Sequence, residues 1–447
     1  MKTSKSTDPR ERVLLVGLGR KRAPRVPGLE AGHAEHESLA ELAELTESAG
    51  GNVVGSILQL RDKPDPATLV GRGKLEEIEA EAQFLKASLV IFDASLTPSQ
   101  QRNIDDVLDR RVIDRTQLIL DIFAKHARSR EGQLQVELAQ LNYVLPRLAG
   151  SRKELSRLGG GIGTRGPGEQ KIETDRRRIR DRIQRLQQNI ETLRRQRSQR
   201  RASRQAVPLG TVALVGYTNA GKSTLFNALT SAKVVVSSRM FATLDPTVRA
   251  VRMPSGRRVL LSDTVGFIRA LPPALIAAFR ATLEEVQEAA LLLQVTDVAN
   301  PQHAEQDVEV EKVLADLGVD QTPRLHVCNK IDLLPPEDAA ELARANKNKA
   351  YVSASNGTGL EELLRRIDEA MPVDPIVRLK LHVPLSDGRS LALIHALGRV
   401  VHSAVGDSEM RLDAELPESL ARRLTQYAQP GGHPAKEEAF TPTEHGT

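Results

Sequence analysis

Residues 216–223 read Gly216-Tyr217-Thr218-Asn219-Ala220-Gly221-Lys222-Ser223, the pattern G-x-x-x-x-G-K-S. Glycines at this spacing let the backbone curl so that successive N–H groups converge on phosphate oxygens. A helix starting at the end of the loop adds the positive end of its dipole. Lys222 is placed to reach the β- and γ-phosphates, the Ser223 hydroxyl to ligate Mg²⁺, and Thr224 belongs to the same cradle. The flanks agree: 211–215 (TVALV) is a short apolar run of the buried-strand kind, and 224–229 (TLFNAL) opens a helix. A bland Gly-containing turn would have no need of Lys-Ser. The chemistry is that of a nucleoside triphosphate; the loop does not choose the base.

The base is chosen by Asn329-Lys330-Ile331-Asp332, which follows an apolar run at 324–328. The Asp332 carboxylate can accept from both guanine N1–H and N2–H, whereas adenine has no donors there, and leaving buried polar groups unpaired is strongly discriminating. Asn329 is expected on the N7 and O6 side of the ring and the Lys330 stem over its face. Ser353-Ala354-Ser355, after another apolar run, would present its backbone to O6. Asp263-Thr264-Val265-Gly266 is D-x-x-G: Asp263 would hold Mg²⁺ through water, and the Gly266 N–H would contact the γ-phosphate. Upstream, Phe241-Ala242-Thr243-Leu244-Asp245 is the candidate first switch. Thr243 would complete the Mg²⁺ shell only when the γ-phosphate is present, its bland alternative being a loop threonine. Lys222, Thr243 and Gly266 are therefore the expected catalytic set.

Two residues bear on rate. Ras-like GTPases carry a water-orienting Gln directly after D-x-x-G; here it is Phe267, so unaided hydrolysis is expected to be slow. Asn219 stands where some GTPases recruit K⁺ beside the phosphates, and a backbone-capping Asn is the equal alternative.

The elements that must position these groups fill a chain of 447 residues, long enough for about three domains. Alternating strand and helix patterns at 12–125 imply a small parallel α/β unit (strands at 13–17, 53–60, 89–93 and 111–114; helices at 38–48, 74–86 and 98–109). Residues 70–74 (VGRGK) enter one of those helices, as an ordinary tight turn or as an anion-holding helix start. Across 130–204, leucines at 134, 138, 141, 145 and 148 and apolar residues at 172, 179, 183, 186, 190 and 193 step by threes, fours and sevens. They read as the two seams of an antiparallel helical hairpin around a glycine-rich tip. The nucleotide unit occupies 209–372, with a hairpin turn at 253–257. A small α+β unit occupies 376–428, and 429–447 reads as a disordered tail.

Charge is uneven. The net +5 of the whole chain contains 17 Lys+Arg against 6 Asp+Glu between Arg152 and Arg204, a net of +11, so the remainder is −6. Arg152, Lys153, Arg157, Arg165, Lys171, Arg176, Arg177 and Arg178 cluster around the tip. Too few acids accompany them for a balanced solvated face, so RNA phosphates are the expected partner. Aromatic residues are 3% and Trp is absent, which argues against base-stacking platforms. The apolar run at 13–18 is too short for a signal-peptide core and no apolar stretch approaches bilayer length. With the single Cys328, this makes a cytoplasmic protein the expectation.

The stretch at 263–285 (DTVGFIRALPPALIAAFRATLEE), with 241–246, the tip GGGIGTRGPGEQ at 159–170 and VGRGKLEEI at 70–78, resembles the HflX family of bacterial ribosome-binding GTPases. The resemblance spans residues from about 12 to 425. It implies an α/β protein in three parts: an N-terminal α/β domain plus helical hairpin, a Ras-like P-loop G domain with a mostly parallel sheet and helices on both faces, and a small C-terminal domain. It implies binding of GTP and GDP and of the large (50S) ribosomal subunit and its rRNA, with dissociation of stalled or idle ribosomes under stress. The chain is expected to work as a monomer. Val248 departs from the family, where a second Thr would follow 246–247. An assembly GTPase of the Obg or Era type and a nucleotide-switched RNA-binding module are the alternatives.

Asp332→Asn should weaken GTP binding and shift preference toward xanthosine triphosphate, whose C2 oxygen suits an amide donor. Affinities for the two nucleotides, measured on parent and variant, check this.

Overall fold

The computed structural model describes residues 10–20, 33–150, 167–204, 210–230, 240–241, 246–269, 280–371 and 376–428. The tip at 151–166, the switch residues 242–245 and the tail at 429–447 lie outside these. Among the described residues no helix is long and apolar enough to cross a membrane.

The N-terminal sheet runs β2-β1-β3-β4, all parallel: β1 Arg12–Arg20, β2 Asn52–Arg61, β3 Leu89–Phe92 and β4 Arg111–Asp114. Its strands are apolar on both faces because helices cover both. Val13, Leu15, Leu89 and Ile91 point to one side, Leu14, Val16, Val90 and Phe92 to the other, the two-residue period of a strand. The second face is closed by α2 (Arg72–Phe84) and α3 (Pro98–Asp105); α3 starts at a capping box in which Thr97 and Gln100 satisfy each other's backbone N–H. The first is closed by α1 (His33–Ser48), α4 (Arg115–His126) and α5 (Arg130–Val144).

The sequence patterns named no helix at 115–126. Its start is written in Asp114, fully buried at the end of β4. Asp114 Oδ1 accepts from the Gln117 N–H at 2.8 Å and Oδ2 from the Leu96 N–H at 2.8 Å. One carboxylate thus ends a strand, caps a helix and pins a loop, and the D-x-x-Q after an apolar run was the available signal.

α5 buries Val136, Ala139 and Tyr143 under the sheet and packs along α6 (Pro167–Arg204). At 38 residues α6 is about 57 Å long at about 1.5 Å per residue. Leu186 is its fully buried seam residue among those described, and the Arg182–Glu137 pair, at 2.7 and 2.9 Å, fixes its register on α5.

The second sheet runs β10-β9-β8-β5-β7-β6, parallel except for the β6–β7 hairpin (Thr247–Arg252 and Arg258–Asp263). β5 (Thr211–Gly216) is central, between β7 and β8 (Leu291–Asp297). β9 (Arg324–Asn329) and β10 (Ala350–Tyr351) follow. The third sheet, β11-β13-β12 (Ile376–Pro384, Glu409–Pro417, Arg399–Val405), is antiparallel, with the helices Gly388–Leu397 and Glu418–Arg423 on its apolar face.

The core beneath α1 and α4 does not end with the first sheet. It continues through Tyr217, Met240, Phe241, Val265, Phe267 and Ile268 into the face of β5 that carries Ala213 and Val215. The ring of Phe123 on α4 meets that of Phe241 at 4.4 Å, tilted by 55°, and Ser48 at the end of α1 accepts from the Met240 N–H at 3.0 Å. Phe123→Ala should cost about 3–5 kcal/mol, the usual penalty for emptying a fully buried Phe site. Urea unfolding should show the loss in the transitions of both halves of the chain, because the cavity lies between them.

Candidate active site

β5 delivers the phosphate loop and α7 (Lys222–Thr230) leaves it. Gly216 takes φ +149°, and a Cβ there would stand 2.2 Å from the Val295 carbonyl oxygen, so neither its conformation nor its space admits a side chain. Asn219, at φ +60°, is exposed in the left-handed region that Asn tolerates better than most residues, which accounts for its type by backbone alone.

Lys222 is buried. Its Nζ donates to the carbonyls of Gly216 at 3.1 Å and Tyr217 at 2.7 Å, folded back along the loop it must serve. Burial lowers its pKa to about 8, against the opposing pull of Asp263. Ser223 Oγ donates to Asp263 Oδ2 at 2.7 Å, so the hydroxyl at the start of α7 and the carboxylate at the end of β7 already face each other. Two hard oxygens at that spacing fit Mg²⁺, which takes one or two protein oxygens and completes its octahedron with phosphates and water. Among the described residues no cluster of three His, Cys, Asp or Glu offers an all-protein metal cage. Thr243, with Ala242, Leu244 and Asp245, lies outside the described residues.

The D-x-x-G segment is zipped to the loop. Phe267 O accepts from the Thr218 N–H at 2.7 Å and Phe267 N–H donates to Gly216 O at 3.0 Å. Gly266 lies so close that an added Cβ would stand 2.9 Å from Thr218 Cα and 3.0 Å from Lys222 Nζ. Val265, Phe267 and Ile268 are sunk in the shared core, and so is the ring of Phe241, itself at φ +59°. From Phe241 only the backbone is left to meet a nucleotide.

On the base side, Asn329 is buried and braced at both ends. Its Nδ2 donates to Ala220 O at 2.9 Å and its Oδ1 accepts from the Ala354 N–H at 3.0 Å. It ties the phosphate loop to the 353–355 loop, leaving the second N–H of the amide as the group that could meet the ring. Lys330 sits at φ +66°, and Asp297 takes its Nζ at 2.7 Å, which fixes the stem across the site. Hydrogen bonding, first from Ser353 and also from Ser355 at 3.1 Å, holds the Asp332 carboxyl below the usual range, so it is an ionised acceptor at neutral pH.

One wall was not foreseeable from motifs. Tyr217 donates its hydroxyl to Glu41 on α1 and accepts from the Arg269 N–H at 2.8 Å. Glu41 in turn receives Arg115, which also donates to Asp93 at 2.7 Å. Burial alone would push Arg115 down, but the two carboxylates hold it above its ordinary value; burial raises Asp93. Glu41 and Tyr217 are 176 positions apart, and neither belongs to a pattern that mentions the other. Between α1, the phosphate loop and the start of the helix His303–Asp316 lies a cavity of about 630 Å³.

Phosphate loop, D-x-x-G and the guanine-side loops on one mostly parallel sheet define a P-loop GTPase. Comparisons agree: residues 211–330 match the family described as 50S ribosome-binding GTPase, 36–124 the GTP-binding GTPase N-terminal family, and 126–204 its middle region. The chain is 47% identical over 394 residues to the GTPase HflX of Caldanaerobacter subterraneus subsp. tengcongensis, covering 88% of this chain and 90% of that protein. With the GTPase HflX of Escherichia coli the identity is 42% over 391 residues, covering 87% and 92%. The solved GTP-binding protein from Sulfolobus solfataricus, in complex with GDP, is 26% identical, covers 80% of this chain and 98% of that one, and superposes with a TM-score of 0.41. The chain belongs to the GTPase HflX family.

A buried lysine with a pKa of about 8 titrates within reach of experiment. Phosphate anions favour its charged form, so nucleotide binding takes up a proton above that pH and affinity must fall as pH rises. GDP dissociation constants should rise about fourfold from pH 7 to pH 8.5, as one such proton requires. Isothermal titration in buffers of different ionisation heat checks both the slope and the proton.

Proposed function

We propose that this GTPase grips the large ribosomal subunit and its rRNA with the α5–α6 hairpin and couples GTP binding and hydrolysis to splitting or rescue of ribosomes under stress. It would act as a monomer in the cytoplasm, with Mg²⁺. The observation that carries the reading is α6. Arg177, Arg178, Arg180, Arg185, Arg194 and Arg195 are exposed along a helix anchored to the body by one apolar stripe. A long basic helix fits phosphate contacts, which position a protein on RNA without reading sequence.

At the other end, the curled loop and Lys222 would bind the phosphates, and Asp332 and the Asn329 brace would select guanine. Mg²⁺, held by Ser223 and Asp263, would spread the charge on the β- and γ-oxygens. The Gly266 N–H would report the γ-phosphate. Because Phe267 carries no polar group, ordering of the switches on the subunit would supply the missing geometry, a population shift worth orders of magnitude in rate.

Large subunits should therefore stimulate GTP hydrolysis, and binding should weaken linearly on a log–log salt plot. Replacing Arg176, Arg177 and Arg178 by Gln should flatten that slope by up to about 2–3 units and cut stimulated turnover, with GDP affinity of the free protein kept. Light scattering of 70S particles with a GTP analogue reads splitting directly. Binding confined to precursor particles would point instead to subunit assembly. Parent-like slope and stimulation in the triple variant would remove the hairpin from the contact.

A further inference from the structure

We propose that Asp297 is a positioning residue for the purine ring: it holds the Lys330 ammonium so that the lysine stem forms a ready-made apolar platform, and thereby sets how long a nucleotide stays bound. This rests on the guanine-side reading proposed above, in which that stem covers the ring.

Asp297 ends β8 opposite Asn329 in the parallel register, and the Val298 N–H donates to Asn329 O at 3.2 Å. The two oxygens of its carboxylate have different tasks. Oδ1 accepts from the Ala299 N–H at 3.1 Å, within a turn in which Asp297 O also accepts from the Asn300 N–H at 3.2 Å. Oδ2 takes the Lys330 Nζ at 2.7 Å. The Lys330 and Asp297 side chains are 25% and 14% exposed, so solvent screens this pair less than one standing free on the surface. Lys330 is thus held along its whole length. Its backbone is set at φ +66°, its Cε lies 3.9 Å from the place of a Cβ on Gly221 in the phosphate loop, and its ammonium rests on Asp297.

Lysine is among the side chains with most rotamer freedom to lose on being ordered. A stem ordered by the protein's own groups spares the ligand that loss. The pair also satisfies the ammonium at its far end and leaves the methylenes for the ring. Methylenes read no base edge. Asp297 therefore acts on how tightly any purine nucleotide is held, and Asp332 on which one. Without Asp297 the ammonium is left to solvent and to Glu44 on α1, whose carboxyl feels its charge, and the stem loses its direction.

Asp297→Ser keeps an oxygen for the Ala299 N–H, and with it the turn, but cannot reach Lys330. Release of fluorescent GDP and xanthosine diphosphate is measured by stopped flow on the full chain. Asp297→Ser should speed release about five- to tenfold, as freeing one long side chain requires, and by the same factor for both nucleotides. Lys330→Met keeps an unbranched stem without the ammonium. In that background Asp297→Ser should change release by no more than about twofold, the mark of a residue that acts only through the lysine. Parent-like release in Asp297→Ser, or an undiminished effect in the Lys330→Met background, would overturn the proposal. Where Asp297→Ser fails to fold, Asp297→Asn, with the turn kept and the charge gone, decides in the same two backgrounds. Asp332→Asn, run beside them, separates the two readings. If it leaves the preference for GDP over xanthosine diphosphate unchanged, the guanine-side assignment falls and this proposal with it. If it shifts that preference while both backgrounds lose alike, only the present proposal falls.

Discussion

The arrangement depends on a hydrophobic core that neither half of the chain can close alone. α1 and α4 present Leu42, Leu45 and Phe123 to a surface completed by Phe241, Phe267 and Ile268. All three completing residues belong to segments expected to change with the nucleotide. Interiors are packed tightly enough to be bistable rather than continuously deformable, so a shift in a switch must be met by a discrete response under α1 and α4. At the edge of the apolar patch sits the buried Asp93–Arg115–Glu41 group, with Tyr217 on its far side. Buried charges of this kind stabilise little beyond what an apolar cluster would, but they tolerate only one geometry, because losing any partner leaves an uncompensated charge. The apolar core thus supplies most of the adhesion between the two halves, and the charge chain sets their register.

The guanine-side and phosphate motifs were legible because their function is local. A phosphate loop, D-x-x-G and N-K-x-D each carry their requirement within four to eight residues, and the strands before them are apolar runs that no competing element could use. The four strands of the first sheet and the helices α1, α2 and α3 were legible from the alternation of strand and helix patterns. α4 was missed because its cap, Asp114, sits at the end of a strand with no intervening turn, and a helix buried on most of its surface has no clean amphipathic period. The role of Asn329 was read only in part. Motif spacing leads one to expect it beside the base but cannot show that both ends of its amide bond to Ala220 and Ala354. The Glu41–Tyr217 contact left no local signal at all, since it is a property of how two sheets are brought together.

α6 differs from the rest in having little to hold it. Its apolar residues are mostly half-buried, its ion pairs Arg178–Asp175 and Arg195–Glu191 are internal to the helix, and the bidentate Arg182–Glu137 pair ties it to α5. Exposed pairs of that kind contribute little. A long helix held along one seam keeps its direction yet leaves its charged surface open on most sides, as suits a rod whose partner is a polyanion.

The shared core also sets an order on how the molecule can be made. Phe123 leaves the synthesising ribosome 144 positions ahead of Phe267, the residue that helps to cover it. At about 5–20 residues per second that interval lasts roughly 7–30 s. Throughout it the nascent N-terminal part has an uncovered apolar floor, and over the last 63 of those positions the basic rod of α6 is already complete beside the ribosome that is making it.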